Sequence, residues 1–312
     1  MRVVIALGGN ALARRGEPMT VAVERENVRM AARAIGAISN AGHEVVVTHG
    51  NGPQVGLLAL QASSFDAESA YPFDVLGAAT EGMIGYLIEQ ELGNVVPADQ
   101  HVITVLTQTE VALDDPAFAD PTKFVGPVYT EAEARRLADA NGWVVRPDGP
   151  HWRRVVPSPA PRGIVEVQGV NLLLAAGYLV ICAGGGGIPT AFDASGEVLS
   201  GVEAVIDKDR AAAVLARDVG ADLLVIATDV TGVFLDWGTA AQRPLAAAHP
   251  DELAALEFPA GSMGPKVEAA IAFARLGGGR ASIIGALEDL SAMLEGRAGT
   301  RIALTVERSL PQ

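Results

Sequence analysis

Lysine is almost missing from this chain. Of its 23 cationic side chains only three are lysines, Lys123, Lys208 and Lys266, and the rest are arginines. Cysteine is scarcer still. The lone Cys182 excludes an intrachain disulfide, gives no metal-cluster spacing and fits a reducing compartment, where it reads as a buried thiol on a strand. No run of about 18 apolar residues exists to cross a membrane. The apolar start, residues 1–7, stops at Gly8-Gly9 and is too short for a signal-peptide core. The expectation is a soluble, cytoplasmic protein. Positive charge is also short: the net charge of −14 argues against a nucleic-acid surface and against an anionic membrane face. Any anionic substrate must be drawn in by local cations against the field of the whole chain. Several motifs are absent as well. There is no GxxxxGK[ST], no GxGxxG opening a helix, no Gly-x-Ser-x-Gly elbow and no cysteine–histidine metal spacing. These absences exclude a P-loop protein, disfavour a dinucleotide fold and a serine hydrolase, and leave no metal ligands of the protein's own.

What is present is a large α/β pattern. The chain has 312 residues, 49% hydrophobic and 19% charged, enough for one large α/β unit or two lobes. Residues 3–7 (VVIAL) are continuously apolar and β-rich, as in a buried parallel strand, and Gly8-Gly9-Asn10 follows. Glycines there let a backbone approach an anion, or simply make a tight turn. A helix over residues 20–41 stops at Gly42. Residues 44–48 repeat the strand pattern and end in His49-Gly50-Asn51-Gly52, where His49 reads as structural rather than as an acid–base group. Residues 57–92 are mostly helical with a break near Tyr71-Pro72, and 102–107 form a third strand.

The composition then turns proline-rich and charged. Residues 111–164 read as an inserted lobe, or lid, over the sheet edge, with Arg153-Arg154 as a surface or anchoring pair. A helix at 169–176 and a strand at 178–183 lead to Gly184-Gly185-Gly186-Gly187. Four successive glycines carry a backbone-entropy cost and have no packing use, so a close approach to a ligand is the better reading. A strand at 222–227 is followed by Thr228–Val233, a helix by 267–276, and strands at 281–285 and 300–306 close the sheet.

Each lysine stands in a Pro- or Gly-flanked loop or at a helix start: ADPTKFVGP, GVEAVIDKD and GSMGPKVEA. Lysine is a compact point charge and arginine a flat fork, so a chain that otherwise uses arginine keeps lysine where a small phosphoryl group must be neutralised. Three ordinary solvated lysines are the alternative, and for Lys123 the two readings are even. Asp207-Lys208-Asp209 open an Ala-rich helix at about Asp209, and Pro265-Lys266 sit at the start of another, where the helix dipole favours phosphate. Strand-end glycine loops, three retained lysines and an Asp beside a Lys point to phosphoryl transfer by positioning and charge.

Several segments together resemble the carbamate kinases of the amino acid kinase superfamily. They are ALGGNAL (6–12), HGNGPQVGLLALQ (49–61), PTKFVGPVYTEAEA (121–134), RRVVPSP (153–159), CAGGGGIP (182–189), GVEAVIDKD (201–209) and GSMGPK (261–266). The resemblance runs end to end and implies an α/β fold, a three-layer α/β/α sandwich on a mainly parallel sheet, with a protruding lid. It implies one domain over 1–312. Residues 1–200 form the half for carbamate or carbamoyl phosphate and include the lid at 111–164; residues 201–312 form the nucleotide half. The implied reaction is ATP + carbamate ⇌ ADP + carbamoyl phosphate, with Mg²⁺, in a homodimer, commonly run towards ATP downstream of arginine or agmatine breakdown. By resemblance Lys123, Lys208, Asp209 and Lys266 are catalytic. Gly8, Gly9, Asn10, Gly50, Asn51, Gly52, Gly185 and Gly186 surround the phosphoryl group. Thr228, Asp229, Val233, Gly261, Ser262 and Met263 receive the nucleotide. Two positions depart from the wider superfamily. Ala6 stands where many relatives carry a lysine, and Thr231 stands where the second Asp of TDxDG is usual. Another small-acid kinase of the superfamily, or a nucleotide-binding module without catalysis, are the alternatives.

Overall fold

The computed structural model describes residues 1–9, 20–65, 71–259 and 261–307. Eight strands form the central sheet: β1 (Arg2–Leu7), β2 (Glu44–His49), β3 (Val102–Thr104), β4 (Leu179–Ile181), β5 (Leu223–Thr228), β6 (Ala247–Ala248), β7 (Ala281–Ala286) and β8 (Thr300–Ile302). Their order across the sheet is β6-β8-β7-β5-β1-β2-β4-β3. Every neighbouring pair is parallel except β7 with β8.

The apolar runs are continuous because both faces of these strands are covered. Alternate residues of β1 point to opposite layers. Val3, Ile5 and Leu7 pack with Val28, Ala31 and Ile35 of helix α1 (Val21–Asn40) and with Ile84 and Ile88 of the helix Phe73–Gly93. Val4 and Ala6 pack with Ala212, Leu215 and Ala216 of the helix Lys208–Asp218 and with Val267, Ala270 and Phe273 of the helix Met263–Ala274. The result is a three-layer α/β/α sandwich. Ala6 is fully enclosed in that second layer.

Registers set the strand ends. Leu7 stands beside His49 of β2 and Ala227 of β5, and Val47 of β2 stands beside Ile181 of β4. The ladder runs one step into the loops: Gly8 N–H donates to Ala227 O at 2.9 Å, and Gly50 N–H to Leu7 O at 3.1 Å. The loops after β1, β2, β4 and β5 therefore emerge side by side at one carboxyl edge. The chain leaves β1 for β2 on one side and β5 lies on the other, the kind of switch point where open α/β sheets hold ligands.

Several boundaries differ from the sequence reading. The third strand ends at Thr104, not 107, because the chain then turns into a second, four-stranded sheet through Gln108–Glu110. The last strand stops at Ile302 and runs antiparallel to β7. The helix expected from 267 begins at Met263, so Pro265 and Lys266 lie in its first turns.

Within the stretch expected as a lid, the strands Lys123–Tyr129, Val144–Asp148 and His151–Val156 make an antiparallel sheet with His151–Val156 in the centre. The helix Glu131–Asn141 is capped by Thr130 and stopped by left-handed Gly142. Gln108–Glu110 pairs with Gly163–Ile164 at the base of the insert. The insert sits on the body through an apolar cluster of Val55, Phe73, Leu76, Val125, Val156 and Val205. Arg154 lies between the rings of Phe73, 4.8 Å away, and Trp143, 4.6 Å away, and faces Glu203 at 3.6 Å. The anchoring role expected of the Arg153-Arg154 pair falls to Arg154, since Arg153 stays within the lid on Asp148.

Candidate active site

All three lysines of the chain converge on two neighbouring carboxylates. Lys123 Nζ, from the first residue of a lid strand, donates to Asp207 Oδ2 at 2.7 Å. Lys208 Nζ donates to Asp209 Oδ1 at 2.6 Å, and Lys266 Nζ to Asp209 Oδ2 at 3.0 Å. The side chains of Lys208 and Lys266 are only 17% and 14% exposed, which removes the solvated-lysine reading for both. Their elements are locked together: the helices Lys208–Asp218 and Met263–Ala274 pack along one another, with Arg210 bridging to Glu268 at 2.8 Å.

The helix start is built by Asp207. Its Oδ1 accepts the backbone N–H groups of Asp209 at 3.0 Å and Arg210 at 3.3 Å, an N-cap that fixes the first turn. The cap thus lies two residues before Asp209, where the sequence reading had opened the helix. Burial pushes both carboxyls up, but the ammonium groups outweigh it. Lys123 and then Lys208 hold Asp207 well below the usual carboxylate range, and Lys208 and Lys266 lower Asp209. Lys266 is lowered too, by burial and then by its neighbour Lys208. Three cations on two anions leave an excess of one positive charge in a chain whose net charge is −14. That local surplus, buried and preorganised, is suited to a transferring phosphoryl group.

The glycine loops come to the same place. A Cβ on Gly50 would lie 3.1 Å from both the Gly9 backbone and Lys208 Cδ, a tight fit at the place where the first loop, the second loop and the lysine stem meet. Gly185, Gly186 and Gly187 all have positive φ. A Cβ on Gly186 would lie 2.7 Å from Ile206 O, just before Asp207, and one on Gly185 would collide with the Asn51 carboxamide. Asn51 is buried, with Nδ2 donating to Thr80 Oγ1 at 2.8 Å. Gly52 opens the helix Gly52–Phe65. Asn10 lies outside the described residues.

Among the residues expected to take the nucleotide, Thr228 closes β5 beside Gly8 and donates to Asp229 at 3.1 Å. Gly261 and Ser262 lead into the helix that carries Lys266, and Met263 packs on the core at its start. Val233 is tied to the core: its side chain is fully buried, its N–H donates to Thr300 Oγ1 at 2.8 Å and its carbonyl accepts from Leu245 at 2.8 Å, which leaves a nucleotide only the carbonyl's second lone pair.

Sequence reasoning passed over two participants. Asp207 had a usable signal, an Asp directly ahead of a helix. Glu81 had none, being one of four acids in the helix Phe73–Gly93. Buried Glu81 accepts Gly184 N–H at 2.9 Å, Thr107 Oγ1–H at 2.6 Å and Thr107 N–H at 3.2 Å, and so holds the tetraglycine loop from beneath. Burial pushes its carboxyl up to about 7. His49 packs against the same loop; burial lowers its imidazole to about 4 and keeps it neutral. The Cys182 thiol is buried and pushed upward, which makes it unreactive.

Comparison with known proteins agrees along the whole chain. The pattern of the Amino acid kinase family matches residues 1–285. The carbamate kinase of Rhizobium meliloti (strain 1021) is 57% identical over 304 residues, 97% of this chain and 93% of that protein. The carbamate kinase of Haemophilus influenzae is 54% identical over 98% of each chain. The carbamate kinase of Giardia lamblia bound to AMP-PNP superposes with a TM-score of 0.88 at 44% identity, covering 97% of this chain and 98% of that one. Full-length likeness at this level, on a sheet whose carboxyl edge gathers the lysines and glycine loops, places the chain in the amino acid kinase family, among its carbamate kinases.

Proposed function

We propose that this kinase catalyses ATP + carbamate ⇌ ADP + carbamoyl phosphate, and that it works chiefly towards ATP in arginine or agmatine breakdown. The observation that carries the reaction is the convergence of the chain's only three lysines on Asp207 and Asp209 at the carboxyl edge. Phosphoryl transfer asks for little covalent chemistry from the protein and for much positioning and charge. Lys208 and Lys266 neutralise the phosphates, Asp209 orients both, and Lys123 brings a third charge from the lid. Gly8, Gly9, Gly50, Gly52, Gly185 and Gly186, with Asn10 and Asn51, surround the transferring group; since the amides of Gly8, Gly50 and Gly186 are donated to Ala227, Leu7 and Ala183, these three serve by close backbone approach. Thr228, Asp229, Gly261, Ser262 and Met263 receive ADP or ATP.

Magnesium accompanies the nucleotide. Among the described residues no group of three His, Cys, Asp or Glu side chains is placed to hold an ion, and both carboxylates of the cluster already carry lysines. Such a donor set suits an ion held mainly by phosphate oxygens and water. The ion supplies charge neutralisation on the phosphates.

No helix among the described residues is long and apolar enough to cross a membrane, which supports a cytoplasmic enzyme. The helix Phe73–Gly93 leaves Val75, Met83 and Tyr86 exposed, and Leu106 is exposed beside the edge strand β3. An apolar face on an open sheet edge supports a homodimer.

The deciding assay is ATP formation from ADP, Mg²⁺ and carbamoyl phosphate, with hydroxamate trapping for acetylglutamate, aspartate and glutamate with ATP. Ready ATP synthesis without hydroxamate is expected. Hydroxamate from an amino acid, with carbamoyl phosphate inert, would assign a different small-acid kinase; neither product would leave a nucleotide-binding module.

A further inference from the structure

The lid meets the body through backbone hydrogen bonds, such as Val205 N–H to Pro157 O at 3.0 Å, and through side chains. The apolar cluster around Phe73 and the Arg154 stack hold it down at its flank. Facing the catalytic lysines there is one ion pair, Lys123 to Asp207, 84 residues apart in sequence. Among the described residues Asp207 is the only side chain that the Lys123 ammonium bonds, and the lysine side chain is otherwise 34% exposed. A lysine on a four-carbon stem needs a partner to be held in one place.

Asp207 is a rigid partner. One oxygen is pinned by two amides of the helix start, and the other takes Lys123. The same helix end carries Lys208 and Asp209. The lid cation is thereby referenced to the body cations through one carboxylate, while two of its three N–H donors stay available to phosphoryl oxygens.

We propose that Asp207 is a positioning residue, which sets the Lys123 ammonium over the transferring phosphoryl group and registers the lid to the helix bearing Lys208 and Asp209. This rests on the reading of Lys123 as a phosphoryl contact. Asp207 also offsets one of the three cations. Removing its charge frees Lys123 and leaves the cluster with one more uncompensated positive charge. Ground-state anion binding is then kept or strengthened while alignment is lost, so turnover and substrate binding separate.

Asp207→Asn tests this, because Asn caps a helix as well as Asp does and the fold is retained; Asp207→Ser, also a cap, gives a second neutral variant. Steady-state kinetics with ADP and carbamoyl phosphate are compared for wild type, Asp207→Asn, Lys123→Ala and the double variant, with thermal melts. For Asp207→Asn we expect kcat to fall about 10- to 100-fold, the scale of a misplaced reacting group. KM for carbamoyl phosphate is expected unchanged or lower and the melt near wild type. In the Lys123→Ala background the same change is expected to cost less than about twofold, because the partner is gone. Wild-type kcat in both neutral variants, an equal loss in both backgrounds, or a raised KM with kcat intact would overturn the assignment. Full turnover by Lys123→Ala would instead remove the reading of Lys123 beneath it.

Discussion

Lys208 and Lys266 share one carboxylate, each through a different oxygen of Asp209. A single aspartate thus fixes the spacing of two ammonium groups, and in the proposed reaction a phosphate between them would find charge already oriented. Preorganised donors at a developing charge are worth about 10²–10³ in rate, or roughly 3–4 kcal/mol. Lys208→Ala and Lys266→Ala should each lower kcat on that scale while ADP binding, followed by calorimetry, changes little. Lys→Arg at either position should also impair, since a planar fork does not replace a compact ammonium on one oxygen of Asp209, and at Lys208 the stem already lies against Gly50. Near-wild-type turnover in both alanine variants would remove these lysines from the chemistry. The lysines were legible because a chain that writes nearly every cation as arginine makes each exception conspicuous. Asp207 and Glu81 were not singled out, because a capping Asp and a helical Glu are ordinary residues until a fold brings distant partners to them. Val233 is the complementary case: its place in a strand-end loop suggests a ligand contact, while its hydrogen bonds to Thr300 and Leu245 tie it to the core.

The element that depends most on a buried acid is the tetraglycine loop. Ala183, left-handed at φ 51°, donates its N–H to Thr107 Oγ1 at 2.6 Å, and Thr107 in turn donates to Glu81. Burial raises the Glu81 carboxyl from its ordinary 4.5 to about 7. An acid raised on folding holds its proton more tightly folded than unfolded. Its contribution to stability is complete below 4.5 and is lost as pH climbs through about 7. The loss is of the order of 3 kcal/mol. His49, lowered from 6.5 to about 4, acts the other way, losing its contribution as pH falls through that range. Glu81→Gln keeps an oxygen for Gly184 and Thr107 and cannot titrate. Urea unfolding at pH 5.5 and pH 8 should therefore show a smaller drop for the variant than for wild type, with His49 cancelling in the comparison. Equal drops would mean that Glu81 stays ionised across the range. The strand-to-loop logic of these elements was readable from apolar runs ended by glycine. The early exit of β3 and the antiparallel β8 were not, because both depend on which neighbour a short strand finds.

At the scale of the molecule, the open edge at β3 and the apolar face beside it bear on assembly. Tyr86 is 56% exposed and Leu106 50% exposed. In a dimer formed through this face, Tyr86→Glu and Leu106→Glu together should shift sedimentation from dimer towards monomer, since a buried unpaired charge opposes association. An unchanged dimer would place the interface elsewhere. The lid and the two-layered core, in contrast, are complete within one chain.

The near-absence of lysine also makes the enzyme selective towards chemistry it did not evolve to meet. Acylating or carbamoylating reagents attack free amines and leave guanidinium groups alone. On most proteins such a reagent is spent on a surface full of ε-amines. Here, apart from the N-terminal amine, every ε-amine the chain possesses lies in one cluster. Lys266, lowered by burial, has the greater share of neutral amine that this lowering brings. Amine modification followed by mass spectrometry should thus track inactivation almost one for one, and bound nucleotide with carbamoyl phosphate should protect both together. The same arithmetic gives exposure without loss elsewhere: the outer surface, written in arginine, is inert to the reagents that would silence its active site.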